Sequence, residues 1–151
     1  VSWSARLAEL GIELPGVAAP VAAYIPAVRT GSHVYTSGQL PFVDGSLAAS
    51  GKVGAEVSPE EAKQHARTAT LNALAAVHGL VGIDSVRRIV KVTGFVASAE
   101  GFTGQPAVIN GASELLGEVF GDAGAHARAA VGVAELPLGA PVEVELIVEV
   151  S

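Results

Sequence analysis

The stretch Val142–Glu143–Val144–Glu145–Leu146–Ile147–Val148–Glu149–Val150 alternates strictly along its length. Val142, Val144, Leu146, Val148 and Val150 form one apolar row; Glu143, Glu145, Ile147 and Glu149 form the other. A side-chain period of two marks a strand with one face on a core and one turned away from it. Such a strand needs partners, and the preceding sequence supplies them. Residues Ala129–Ala134 read as a strand, and so do Val86–Val96. In the latter, simple alternation puts Val86, Arg88, Val90, Val92, Gly94 and Val96 on one face. Ile89, Thr93 and Phe95 then share the other with Arg87 and Lys91. Further back, Tyr24–Thr30 and His33–Ser37 flank a tight Gly31–Ser32 turn, the pattern of a hairpin.

Two segments change period. Ser58, followed by Pro59, Glu60 and Glu61, is a helix start: serine caps, proline fits the first turn, and Glu61 sits at the capping-box position. The helix runs to about His78, where Gly79 and Gly82 end it, and it aligns Ala62, Ala66, Ala69, Ala73 and Ala76 in a stripe beside Leu74 and Val77. A second helix spans about Pro106–Phe120, with Val108, Ala112, Leu115 or Leu116, and Val119 inward. Gly38–Pro41 breaks the second strand, and Asp44–Gly45 and Ser50–Gly51 mark turns. Residues 2–10 form a short helix capped by Ser2 or Ser4, ended by Gly11 and Pro15 and followed by a linker-like Pro15–Pro20. The order strand, strand, helix, strand, helix, strand, strand predicts an α+β domain, a mixed sheet with two long helices packed on one face. The opposite face needs cover, and closure of identical chains into a ring supplies it.

Composition narrows the function classes. With 151 residues, 50% hydrophobic and 16% charged, the chain is long enough for one real core and too apolar for disorder. A net charge of -6 with 9 Lys plus Arg argues against nucleic acid as partner. Arg87, Arg88 and Lys91 are its densest basic spot. There are 0 cysteines, which removes disulfides, thiolate metal sites and cysteine nucleophiles. The absence of methionine predicts that an initiator residue was removed or lies outside this sequence. No signal peptide or membrane span is read, so a cytoplasmic location is expected. His33, His65, His78 and His126 have no ligand spacing, and no metal site is expected. GxGxxG, GxxxxGK[ST] and GxSxG are absent.

Arg128 is the first candidate for chemistry. A guanidinium ahead of an apolar strand, in a chain poor in positive charge, suits two-point binding of a small carboxylate. Glu143 is the second: it reads either as part of an exposed strand face with Glu145 and Glu149, or as a carboxyl entering a cleft, where partial burial and a raised pKa let it take a proton from water and return it later. Tyr24 suits a small pocket wall, and equally a core or interface position. Gly38 leaves backbone N–H groups open toward an anion.

Tyr24–Ala27, Gly31 and Val34–Tyr35–Thr36–Ser37–Gly38–Gln39–Leu40–Pro41 resemble the opening signature of the YjgF/Rid reactive-intermediate deaminase family. Arg128–Pro137 with Pro141–Val142–Glu143–Val144–Glu145 is similar to its closing signature, and Val86–Phe95 to its central strand. The resemblance spans about residues 20–150. It divides the chain into an N-terminal extension, 1–20, and a YjgF/Rid-like domain, 21–151. It implies a chorismate-mutase-like fold and a homotrimeric barrel with three clefts between subunits. It further implies cofactor-free hydrolysis of 2-imino and enamino acids to 2-keto acids and ammonia. By that resemblance Arg128 holds the substrate carboxylate and Glu143 positions water. Tyr24, Gly38 and Ser113 line the pocket, and the backbone at Ala130 meets the imine nitrogen or water. Family members were formerly labelled endoribonucleases or translation inhibitors. The chain departs from the pattern at Ile25 and Pro26, at Ala129 and Ala130, and at Ser113, which takes the place of an asparagine while Asn110 lies one turn earlier. These departures motivate an alternative: a non-catalytic, small-carboxylate-binding or regulatory trimer using the same cleft.

Overall fold

The computed structural model describes residues 2–17 and 23–151. Its elements are α1 (Trp3–Glu9), β1 (Ala27–Thr30), β2 (His33–Thr36), β3 (Phe42–Val43), β4 (Ser46–Leu47), α2 (Pro59–Val81), β5 (Val86–Ala97), α3 (Gln105–Phe120), β6 (Ala127–Val133) and β7 (Val142–Val150). Five strands form one sheet in the order β1-β2-β7-β5-β6, and β3 and β4 pair separately as a small hairpin. Only β5 and β6 run parallel; the other neighbours in the large sheet are antiparallel. The α+β layering expected from the element order is therefore present, with α2 and α3 against one face. Part of the expected Pro15–Pro20 linker, and the boundary between residues 20 and 21, lie outside the described residues.

The β7 alternation decides the layering. Val142, Val144, Leu146, Val148 and Val150 are all buried, and each residue between them is only half-buried. The alanine stripe of α2 is likewise buried at all five positions. Small side chains there let the helices approach closely. At Gly111 of α3 an added methyl group would collide with the backbone carbonyl of Lys63 on α2. Leu74, Ile109, Leu115 and Leu116 are sealed between the layers. Truncating any of them to alanine costs about 2–5 kcal/mol. Both Leu115 and Leu116 point inward, because two elements converge on α3.

Several boundaries differ from the sequence reading, each for a physical reason. Helix α2 continues through Gly79 and stops at Gly82, whose φ of 81° lies in the left-handed region. The Nδ1 atom of His78 then accepts from the Ile83 N–H at 3.0 Å and closes the helix end. Strand β1 begins at Ala27, leaving Tyr24 in the segment before it. In β5 strict alternation fails. Register shifts against β7 lie between Val86 and Arg88 and between Ile89 and Lys91. Each extra residue reverses the facing of the positions beyond it. Ile89 is consequently buried, Arg88 is exposed and Val90 is half-buried, contrary to simple alternation.

Helix α1 is seated on the same body. Ser2 caps it, accepting from the Ala5 N–H. The Trp3 indole N–H donates to the Val86 carbonyl at 2.7 Å, and its ring meets Phe120 edge-on with centroids 5.1 Å apart. The Ser4 hydroxyl and N–H donate to the Asp84 carboxylate at 2.6 and 2.9 Å. Those bonds hold the Asp84 carboxyl below its ordinary range. Among the described residues no helix is long and apolar enough to cross a membrane.

Candidate active site

Strand pairing sorts the candidate residues into two groups. Arg128 lies level with Val92 across the parallel β5–β6 pair, and Val92 faces the helices. Arg128 therefore leaves β6 on the helix side. There its Nη1 donates to Asn110 Oδ1 at 2.8 Å and to Ser113 Oγ at 3.2 Å, both on α3. Nε and Nη2 have no partner among the described residues, and the side chain is exposed. A guanidinium held by one nitrogen, with the rest of its fork free, is ready for a planar anion. Ala130, two residues on, shares this side and packs half-buried against the core. Ser113 also bonds His126, whose Nε2 is 2.9 Å from its hydroxyl oxygen.

Glu143 belongs to the second group. Its neighbours Val142 and Val144 are in the core, so it leaves β7 on the face away from the helices, beside Phe95 of β5. Burial raises its pKa above the ordinary 4.5, and the nearby Glu145 carboxylate adds to the effect. The edge beside it is shaped by a break in the β2–β7 ladder. Regular pairing ends at Tyr35–Ile147, and the Leu146 N–H instead bonds the Thr36 hydroxyl at 3.0 Å. Pairing resumes where Gln39 and Val144 exchange both backbone bonds, at 2.8 and 3.0 Å. Between these points lies Gly38, against which the Glu143 carboxylate rests; an added methyl group would collide with it. The space on the Cβ side of Gly38 is thus filled by the Glu143 carboxylate. Ser37 ties in the preceding segment: its hydroxyl donates to the Ile25 carbonyl at 2.6 Å and its N–H to the Pro26 carbonyl at 2.8 Å. Tyr24, 54% exposed, is the next residue along.

Arg128, Ser113 and Ala130 therefore come together on the helix side, and Gly38 and Glu143 on the open face, while Tyr24 lies exposed in the segment that Ser37 ties in. Arg128 and Glu143 do not converge within one chain, because the parallel β5–β6 register fixes Arg128 on the side opposite Glu143. The open face carries Val28, Tyr35 and Val131, each more than two-fifths exposed, a strip of apolar surface across the sheet. His126 and Asn110 were not assigned from sequence. The signal was present: His126, Arg128 and Ala130 recur with period two, and Asn110 and Ser113 are spaced by three on a helix, the spacing that shares a face. Among the described residues no group of three or more His, Asp or Glu is arranged to hold a metal ion.

Comparison with known proteins adds to this geometry. The model of the YjgF/chorismate mutase-like family, whose description also carries an endoribonuclease label, matches residues 4–150. The chain belongs to this family. A curated relative, protein TCP17 of Trypanosoma cruzi, is 43% identical over 150 residues, 98% of this chain and 94% of its own length. The crystal structure of Atu1372 from Agrobacterium tumefaciens is also 43% identical and superposes with a TM-score of 0.91, covering 99% of this chain and 92% of that one. Escherichia coli TdcF, solved with bound serine, is 26% identical with a TM-score of 0.63, covering 91% of this chain and 93% of its own. The YjgF match begins at Ser4, within α1, and the seating of α1 on the core agrees with its inclusion.

Proposed function

We propose that the protein hydrolyses small reactive 2-imino and enamino acids to 2-keto acids and ammonia, in clefts completed by neighbouring copies of the chain. The observation that carries this reading is the Arg128 guanidinium, held at Nη1 by Asn110 and Ser113 with the rest of its fork presented outward. One copy contributes Arg128, Ser113 and the Ala130 backbone. The next contributes Glu143, Gly38 and Tyr24. Each copy then has both half-sites, and a closed ring, a homotrimer in the family pattern, uses all of them.

The chemistry follows from the groups. Arg128 takes the substrate carboxylate with two parallel N–H donors, fixing C2 of the imine. The Glu143 carboxylate accepts a proton from water as the water oxygen bonds to C2, giving a tetrahedral carbinolamine. Returning that proton to nitrogen completes the amino group of the carbinolamine. The carboxylate then takes the hydroxyl proton and passes it to nitrogen, so that ammonia leaves as the C–N bond breaks and the C=O bond forms. Imino acid plus water thus becomes keto acid plus ammonia, with no electrons transferred and no cofactor required. The raised pKa of Glu143 suits both halves of the cycle, since an acceptor that titrates nearer neutrality is also a better donor. 2-Iminopropanoate and 2-iminobutanoate are the substrates proposed from the family resemblance.

A second reading, small-carboxylate binding without turnover in the same cleft, draws support from the serine held by TdcF. An RNA substrate fits poorly: the net charge is -6 with only 9 Lys plus Arg, too little positive charge to replace phosphate counterions. The test measures keto-acid release from imino acids generated in place. Arg128→Ala and Glu143→Gln should each be inactive, whereas the two variants co-refolded in equal amounts should regain about a quarter of wild-type activity. Half the arginine contributions and half the glutamate contributions in a random ring are intact, and a working cleft needs both. Full activity of Arg128→Ala alone refutes the assignment. Saturable ligand binding with no turnover in the wild type supports the second reading.

A further inference from the structure

We infer that His126 is a positioning residue for the carboxylate-binding guanidinium, acting through the Ser113 hydroxyl; the inference rests on the reading of Arg128 given above. His126 Nδ1 lies 2.6 Å from the carbonyl oxygen of Gly124. A carbonyl can only accept, so Nδ1 carries a hydrogen and the neutral ring has its lone pair on Nε2. That lone pair faces Ser113 Oγ at 2.9 Å. Serine has one hydroxyl hydrogen, and donation to Nε2 commits it. The oxygen lone pairs are then left for Arg128 Nη1, 3.2 Å away. Donation runs in one direction, from Arg128 to Ser113 to His126, while the histidine donates in turn to the Gly124 carbonyl.

The end of this chain is fixed in rigid backbone. Gly124 is buried at the close of a 3-10 turn, and an added methyl group there would collide with the Leu116 carbonyl of α3. The histidine is thus held by backbone that packs on the helix carrying Asn110 and Ser113. Without the imidazole, the Ser113 hydrogen is free to turn toward the guanidinium or toward an incoming carboxylate. The hydroxyl then ceases to be a dedicated acceptor, and Arg128 keeps only Asn110 as a defined partner. The cost falls on binding of the anion, with the water-activating carboxyl left untouched. A neutral carbonyl behind the ring, where serine hydrolases place a carboxylate, suits this orienting role better than activation of Ser113 as a nucleophile.

The experiment uses the full chain and compares His126→Phe, Ser113→Ala, Ser113→Thr and Arg128→Ala, each checked for fold by circular dichroism, with KM and kcat measured on 2-iminobutanoate generated in place. His126→Phe and Ser113→Ala should each raise KM about tenfold, the size of one hydrogen bond to a charged group, with kcat little changed. The double variant should be no worse than the weaker single one, since both cut one chain. Ser113→Thr, which keeps the hydroxyl, should restore KM. Unchanged KM in folded His126→Phe, with Arg128→Ala inactive, overturns the positioning role alone. Unchanged KM in Arg128→Ala as well overturns the underlying assignment. Should His126→Phe fail to fold, nitrogen-15 NMR of the wild-type imidazoles decides: at a pH where the rings are neutral, His126 must carry its hydrogen on Nδ1, and the opposite tautomer overturns the proposal.

Discussion

Gly38→Ala adds one methyl group at a point where the structure leaves no room. The Gly38 backbone is outside the left-handed region, so alanine can take its conformation without strain. Its neighbour Gln39 is clamped to Val144 by two backbone bonds, so the backbone cannot retreat. The new Cβ would stand 2.8 Å from Glu143 Cδ and 3.1 Å from Cγ, with the carboxylate oxygen nearer still. Ordinary carbon contacts begin at about 3.5 Å, so the carboxyl group must move by about 1 Å. A displacement of that size costs about 10²-fold in a reaction that depends on alignment, about 2.7 kcal/mol of barrier. Since Arg128 is on the other half-site, KM should stay near the wild-type value while kcat falls. Stability should change by less than about 1 kcal/mol, because the half-buried Glu143 side chain can swing toward solvent. Steady-state kinetics on an imino acid, with a thermal melt beside it, reads both quantities. An unchanged kcat in a correctly folded Gly38→Ala protein would refute Glu143 as the proton acceptor. A raised KM at constant kcat would make this half-site a binding surface only.

Glu143 also links pH to stability. Its folded-state pKa lies above the ordinary 4.5, so between those values the folded chain keeps a proton that the unfolded chain releases, and stability falls as pH rises through that window. Glu143→Gln should therefore melt higher than wild type at neutral pH, with the difference fading below about pH 4, while turnover is lost; melts on a pH series check the sign. In wild type, turnover should fall on the acid side as the carboxylate takes up its proton. Two glycines of α3 should respond oppositely to alanine. Gly117 has open space at its Cβ, and Gly117→Ala should stabilise by about 0.5–1 kcal/mol, whereas Gly111→Ala, driven into the Lys63 carbonyl, should destabilise by more than that, as read by denaturant unfolding. Trp3→Phe should keep the contact with Phe120 but leave the Val86 carbonyl without its indole donor, costing about 1 kcal/mol; a melt equal to wild type would show that α1 adds little.

The features legible in the sequence were local. The cap at Ser58, the alanine stripe and the β7 alternation each depend on residues within a few positions of one another, and all three appear as read. The β5 bulges could not be read, because they depend on how β5 meets β7, and the adjacent Arg87 and Arg88 mask the alternation there. The end of α2 was ambiguous for another reason. Gly79 and Gly82 are chemically identical, and only the capping by His78 and the φ of Gly82 distinguish them.

The candidate residues were legible as types but not as an arrangement. Arg128 and Glu143 are separated by 15 positions, and their relation depends on two strand pairings of opposite sense. Alternation assigns each residue a face of its own strand, but it does not say which face of β6 continues which face of β7. The parallel β5–β6 register settles that, and it puts the guanidinium on the helix side. One consequence bears directly on function. If a single chain had joined both groups, dilution to monomers would leave activity intact. Because it does not, the proposed water-activating and carboxylate-holding halves can meet only across a boundary between copies. The exposed Val28, Tyr35 and Val131 on the open face supply a hydrophobic reason for such a boundary to form. Turnover by the proposed route should therefore disappear with the oligomer, even while each chain remains folded.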